Sequence, residues 1–340
     1  MSNFVNVAMD AMGGDNAPYE IVKGTVEAVN EDKDIKVFLV GREDAVNKEL
    51  AKYNYDKSRI EVVNANEIIE TAESPVKAIR TKKDSSIVKG LHMVKEGTCD
   101  AFVSAGCSGA VLVGGQLIVG RLPGVERAPF VPIIPTENGI CLIADCGANV
   151  DAKASFLVQF AKMSSIYCEH ALGIKNPRVG IVNIGAEEEK GNALVKETFP
   201  LLKEEKSINF VGSVEARDIP YGAADVLICD AFVGNVILKL YEGTATVLIK
   251  QIKKGLMSSL KSKVGAALAL PALKKTLKAY NTDIYGGAPL LGLKGLVVKT
   301  HGSAKAIEVH NSIIQCKTFK AQRINELIRE NMNIENEAQV

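Results

Sequence analysis

The 340 residues contain no tryptophan, aromatic side chains make up only 5%, and histidine occurs four times. So few π-faces leave little on which to stack bases. With 41 basic against 40 acidic side chains the net charge is +1, which gives no field to gather a polyanion. Nucleic acid is therefore not an expected partner. His92, His170, His301 and His310 are too few and too scattered for a cage of imidazoles, so no metal is expected either. The chain also lacks a G-x-S-x-G elbow, an H-E-x-x-H pair, a Walker A loop and a G-x-G-x-x-G fingerprint. The S-x-x-K matches at Ser74 and Ser86 stand without their companion motifs. Neither a covalent nucleophile nor a bound cofactor is expected. Seven cysteines, an odd number with no C-x-x-C pair, fall mostly in apolar runs and read as reduced core thiols. The opening residues, MSNFVNVAMDAMGGD, have neither a basic start nor a long apolar stretch, which predicts a cytoplasmic protein.

What is present describes a globular chain: 47% hydrophobic and 24% charged, enough for a sizeable core and incompatible with disorder, collagen or coiled coil. Short apolar runs alternate with helix-length amphipathic ones, the pattern of an α/β fold in which a mostly parallel sheet is covered by helices in three layers. Strands are predicted at residues 4–10, 35–41, 59–65, 100–106, 140–147, 178–185, 208–214, 225–230 and 293–302. No repeat or flexible linker divides the chain. Residues 1–335 are expected to form one packed unit, of one lobe or two, with a basic helical segment at 243–282 inserted in it.

In open α/β sheets ligands bind at the carboxyl ends of strands, and here those ends are rich in glycine with polar neighbours. Backbone N–H groups at such turns hold anions, so phosphate is the natural ligand, although each glycine can equally serve only a tight turn. Asp10 and Asp15 bracket Gly13 and Gly14; they can orient a ligand, or Asp15 or Asn16 can cap the next helix. SAGCSGA offers the Ser104 and Ser108 hydroxyls with Gly106 and Gly109, and its Cys107 reads as a small turn residue rather than a nucleophile. Asp145 and Asn149 stand in DCGANVD, and Asp230, Gly234 and Asn235 in DAFVGN. Arg80, Lys82 and Lys83 precede Ser85 at a helix start. They form a cationic cluster suited to phosphate or to an acidic protein surface, or a solvated loop. Lys190 follows three glutamates at a strand-to-helix turn, where an ammonium can neutralise a phosphate or simply face solvent. His301 in KTHG is a candidate acid, base or donor, or a satisfied histidine at a strand end.

Residues 243–282 contain eight lysines and no acid. Leu256, Leu260, Val264, Ala267 and Leu268 recur at helical spacing, Pro271 is expected to break the run, and Leu273, Leu277 and Tyr280 resume it with Lys274, Lys275 and Lys278 opposite. This predicts two short amphipathic helices meeting at a corner. The uncharged stretch 264–273 is too short to span a bilayer. Its apolar face around Leu268, flanked by Lys261, Lys263, Lys274 and Lys275, suits an anionic membrane surface or an acidic carrier; an ordinary core or subunit-interface helix has the same pattern.

DAMGGD, SPVKAIRTKKDSS, AGCSGA, RLPGVERAPF, DCGANVD, NIGAEEEKGN, DAFVGNVILKLYEG, YGGAPLLGLKG and KTHGS follow one another along the chain. In that order, from residue 10 to about 303, they resemble the bacterial phosphate acyltransferases, a family of fatty acid and phospholipid synthesis. The chain departs from the family's habit at Cys107, where Asn is common, and at Ala216 and Ala231, where Gly is. The first departure removes a side-chain donor and the others leave the motifs intact. The resemblance implies a fold like that of phosphate acetyltransferases and isocitrate- or isopropylmalate-type dehydrogenases, and a homodimer. It also implies transfer of a long-chain acyl group from acyl carrier protein to inorganic phosphate, giving the acyl phosphate used by a downstream membrane acyltransferase, with peripheral membrane contact. On this view Lys190 and strand-end amides hold the phosphate, Asn235 with the backbone near Gly234 supports the oxyanion, and Asp230 and His301 orient them. An acyl-coenzyme A donor, a nucleotide-dependent dehydrogenase on the related scaffold, and a non-catalytic carrier- or lipid-binding module are the alternatives.

Overall fold

The structure is a computed structural model that describes residues 4–280 and 282–337. Its strands are β1 (Val5–Asp10), β2 (Ile35–Gly41), β3 (Ile60–Asn64), β4 (Ala101–Ser104), β5 (Ile133–Thr136), β6 (Gly139–Ala144), β7 (Arg178–Asn183), β8 (Asn209–Glu215), β9 (Val226–Ile228), β10 (Ala288–Leu290) and β11 (Leu296–Lys299). They form two sheets, ordered β10-β11-β4-β1-β2-β3 and β5-β6-β9-β7-β8. Within them only β10–β11 and β5–β6 pair antiparallel. The expected α/β class and parallel pairing hold, and each of the nine predicted strands is present. The two strands the pattern missed, β5 and β10, lie at sheet edges and carry Pro135 and Pro289. Proline cannot donate to a ladder, so it argues against a strand in the sequence and is tolerated only where one side is unpaired.

The helices are α1 (Tyr19–Glu31), α2 (Glu43–Leu50), α3 (Pro75–Thr81), α4 (Ser86–Lys95), α5 (Ser108–Gly114), α6 (Ala154–Leu172), α7 (Ala193–Glu204), α8 (Ala231–Leu256), α9 (Leu260–Ala279), α10 (Ala306–Ala321) and α11 (Ile324–Glu337). Strand residues such as Val7 and Met9 of β1 and Leu142 of β6 are fully buried. They share one apolar cluster with Phe160 and Met163 of α6 and Val309 of α10, so a continuous core joins the two sheets. All seven cysteines are buried and free, and burial pushes the Cys99, Cys146 and Cys168 thiols up to about 12, which leaves them inert.

Because neighbouring strands run parallel, β1, β4 and β11 end side by side at one edge, and β6, β9 and β7 at the corresponding edge of the second sheet. From that second edge α8 and α9 project as a helical hairpin. The expected corner at Pro271 is not there: α9 runs straight through it, and the chain turns at residues 257–259 instead. Pro271 removes one N–H from a helix that is largely exposed, and water can satisfy the freed carbonyl. By length and composition α8 alone among the described helices is apolar enough to cross a membrane. Its first turns are nevertheless part of the fold, with Gly234 packed against the Asp145 carbonyl and the Tyr241 hydroxyl donating to the Pro135 carbonyl at 2.6 Å.

Candidate active site

At the edge of the first sheet three strand ends are laced together. Asp10 is buried, its Oδ2 accepts from the Ser104 hydroxyl at 2.7 Å and its Oδ1 from the Met12 N–H at 3.1 Å. Ser104 Oγ in turn accepts from the Gly106 N–H at 2.9 Å. Burial raises the Asp10 pKa, and hydrogen bonds from Ser86, Ser104 and the adjacent backbone pull it back. A Cβ on Gly13 would lie 2.6 Å from Gly106 N, and one on Gly14, whose φ is +93°, 2.8 Å from the Gly302 carbonyl. Glycine is required here so that the loops can touch. The Asp10 and Ser104 side chains thereby join the loops, and Gly13, Gly14 and Gly106 let them approach. Asp15 is exposed, and neither it nor Asn16 caps α1, which starts after Pro18. Asn16 Nδ2 instead donates to the Ser303 carbonyl at 2.9 Å, tying β1's end to β11's.

The second edge is built likewise. Asp145 is fully buried. Its Oδ1 accepts from the Phe130 and Ala148 N–H groups (2.9 and 3.2 Å), its Oδ2 from the Asn149 N–H and side-chain amide (2.7 and 2.6 Å). Asn149 Nδ2 also reaches the Ala128 carbonyl at 3.0 Å. With two donors on each carboxylate oxygen Asp145 organises the loop, and the Asn149 amide N–H groups serve the same loop. Asp230 is the N-cap of α8, Oδ1 accepting from the Phe232 and Val233 N–H groups at 2.9 and 3.0 Å. Gly234 lets that helix close on the Asp145 carbonyl.

Between these edges and α8 lies a cavity of about 790 Å³, within the usual range for a small-ligand site. Its polar side is Ser108, Lys299, Thr300, His301 and Gly302; its apolar wall is Phe130, Pro132, Ile133, and Leu238 and Val247 of α8, with Lys239 and Glu242 beside them. His301 Nδ1 accepts from the Ser303 N–H at 3.3 Å and sits 2.8 Å from its hydroxyl, so Nε2 carries the proton and is the ring atom left for a ligand. Sequence reasoning missed Lys299. Only 7% exposed, its ammonium donates to the Ala105 carbonyl at 3.2 Å and to the Thr300 carbonyl. Burial drives its pKa down to about 8, with the Asp10 carboxylate opposing the fall. The available signal was a lysine closing the otherwise apolar strand LVVK.

The structure brings Ser108 and His301 to this cavity but not the other predicted groups. Lys190 lies outside its lining, exposed in the β7–α7 loop and paired with Glu187 at 2.8 Å. Asn235 is exposed in the second turn of α8, one turn before Lys239. Ser85 caps α4, its hydroxyl donating to the Lys82 carbonyl at 2.8 Å, which withdraws it from the predicted phosphate contact. Lys82 is held by Glu73 at 2.5 Å and the Ile68 carbonyl at 2.6 Å, so it offers no free charge to a carrier or membrane. Lys83 donates to the Ile79 carbonyl at 3.1 Å, also away from the cavity. Gly109 packs α5 against Pro75 of α3. Arg80 on that helix, and Lys261, Lys263, Lys274 and Lys275 on α9, are exposed. The Lys278 side chain lies outside the described residues.

Residues 5–327 match the model of the fatty acid synthesis protein family. The chain belongs to that family. It is 49% identical over 333 residues to a phosphate acyltransferase of Clostridium beijerinckii, covering 98% of this chain and all of that one. It is 49% identical over 315 residues to a putative phosphate acyltransferase of Clostridium perfringens, covering 93% of each. Among solved structures it is similar to a phosphotransacetylase from Streptococcus pyogenes (TM-score 0.59, 16% identity, 94% of this chain and 95% of that one). A second similar structure is a phosphotransacetylase from Staphylococcus aureus (TM-score 0.56, 18% identity, 93% and 95%). At such identities these neighbours speak to fold alone, and the expected phosphate-acetyltransferase-like architecture is the one found.

Proposed function

We propose that this family member transfers a long-chain acyl group from the thioester of acyl carrier protein to inorganic phosphate, releasing an acyl phosphate for phospholipid synthesis. The observation that carries the reading is the cavity, where an apolar wall meets a buried ammonium and a histidine donor, in a chain half identical to phosphate acyltransferases. Such a site suits a ligand that is greasy at one end and anionic at the other. The chemistry asks little more. A phosphate oxygen forms the new C–O bond, the C–S bond breaks, and the proton lost by hydrogen phosphate goes to the departing thiolate. Phosphate is already a nucleophile and thiolate a good leaving group, so positioning and charge stabilisation suffice. His301 Nε2–H and the Ser108 hydroxyl are suited to donate to the phosphate or to the oxyanion. Asn235 continues the α8 face that carries Lys239, and Lys190 stands at the neighbouring strand end, where both are open to a donor that reaches beyond the cavity.

Arg80 sits on α3, which packs against α5 beside Ser108, and is suited to guide an acidic carrier to the cavity. Contact of the α8–α9 hairpin with an anionic membrane, where a downstream membrane acyltransferase would take the product, and a homodimer complete the proposal.

Purified protein incubated with palmitoyl-acyl carrier protein tests it, with free carrier thiol and hydroxylamine-trapped acyl phosphate as readouts. Both are expected only when phosphate is present. Release from palmitoyl-coenzyme A alone would change the donor, and release from neither would remove the transferase reading. In the same assay Lys190→Ala and Asn235→Ala are expected to lower kcat; a folded variant with wild-type turnover takes that residue out of the mechanism.

A further inference from the structure

Lys299 is a buried cation with no carboxylate paired to it among the described residues. Asp10 is the opposite charge that acts on it most strongly, but that carboxylate is occupied by Ser104, Ser86 and backbone N–H groups. An ammonium has three donors, and two of the Lys299 donors go to the Ala105 and Thr300 carbonyls. Next to it Thr300, 3% exposed, has a hydroxyl with no hydrogen-bond partner among the described residues. Both residues line the same cavity. A buried unpaired charge and a buried unpartnered hydroxyl are each costly, and on consecutive residues that line one cavity they lack the same thing, a hydrogen-bonding anion.

We propose that the Lys299 ammonium and the Thr300 hydroxyl form the anion subsite in the cavity floor, gripping inorganic phosphate so that its free oxygen faces a thioester laid along the apolar wall. The proposal rests on the transferase reading and adds to it the groups that select the acceptor. It also makes acceptor binding depend on pH. The groups acting on Lys299 are Asp10 at the end of β1, Asp15 from the loop after it, Cys107 from the loop after β4, and Lys239 from α8. His301, Glu242 of α8 and Glu308 of α10 line the same cavity. Burial outweighs the aspartates, so the ammonium loses its proton from about pH 8 upward, where phosphate itself has already become a dianion.

The test is the KM for phosphate, against that for the acyl donor, from pH 6.5 to 9.5 at fixed ionic strength. For the wild type the phosphate KM is expected to climb by about tenfold per pH unit above the Lys299 transition while the donor KM stays level. Lys299→Met is expected to raise the phosphate KM roughly 10- to 100-fold at pH 7 and to abolish the climb, as loss of a charged hydrogen bond would. Thr300→Val removes a hydroxyl that holds nothing in the fold, so it should fold normally while raising the phosphate KM about 3- to 10-fold. It keeps the test available if Lys299→Met does not fold. A level phosphate KM across the range, or a folded Thr300→Val with the wild-type value, overturns the subsite. If no turnover is found at all, calorimetric titration with inorganic phosphate reads the subsite independently: weaker binding by Thr300→Val supports it, and equal binding or none by the wild type overturns it.

Discussion

Two donors aim at each carboxylate oxygen of Asp145, so the side chain is fully engaged before any ligand arrives. In Asp145→Asn whichever oxygen becomes an NH2 must face two N–H donors in a buried site. The variant is expected to lose about 2–4 kcal/mol, read as a fall in the urea midpoint at unchanged slope. A variant as stable as the wild type would return Asp145 to the pool of ligand groups. The same comparison shows what residue types at strand ends could and could not say. Asp10, Ser104 and Asp145 were legible as important polar residues next to glycine, but their partners come from strands about a hundred residues away or from across a loop. Nothing local distinguishes a carboxylate that ties loops together from one that meets substrate. Lys299 was hidden for the opposite reason: a lysine ending a strand is usually solvated, and only the parallel pairing of the β4 and β11 ends, which brings the Ala105 carbonyl to it, creates the burial that makes it unusual.

Elements were far more legible than residues, because burial on both faces of a parallel strand writes itself as an unbroken apolar run, while the edge strands β5 and β10 were hidden by their prolines. The hairpin shows where local pattern fails. Pro271 predicted a corner, yet the chain turns where serines follow Gly255, and the helix entering the hairpin begins much earlier, at the cap Asp230. That placement makes α8 both a wall of the cavity and the stem of the hairpin. Its seat depends on Gly234, where any Cβ would collide with the Asp145 carbonyl. Gly234→Ala is expected to destabilise the fold by about 1–3 kcal/mol, and to displace the helix start so that turnover falls more than stability does. A crystal structure of the variant with α8 unmoved would contradict this account of how the wall is positioned.

Over the whole molecule the two sheets share one core, whereas the hairpin contributes little to it. Leu240, Leu260, Val264 and Leu268 are 68%, 82%, 63% and 81% exposed, an apolar surface that neither sheet covers. Its flanking lysines stand in a stretch with no acid, so the surface has the charge and apolar character of a contact with anionic lipid, as proposed above. Burying one leucine contributes about 1.5–3 kcal/mol and each lysine near an anionic surface about 1. Leu268→Glu exchanges an apolar contact for a like charge facing the lipid. Its binding to vesicles rich in anionic lipid is expected to fall at least tenfold in a flotation assay. Leu268 packs against nothing in the core, so the thermal midpoint should stay within a degree or two. Salt should weaken the wild-type contact without abolishing it, because the lysine attraction is screened and the apolar burial is not. Intact vesicle binding by Leu268→Glu would exclude this face. Loss of a dimer in sedimentation, with vesicle binding retained, would assign the same leucines to a second copy of the chain, an occupant that their apolar character fits and that the surrounding run of lysines opposes through like-charge repulsion.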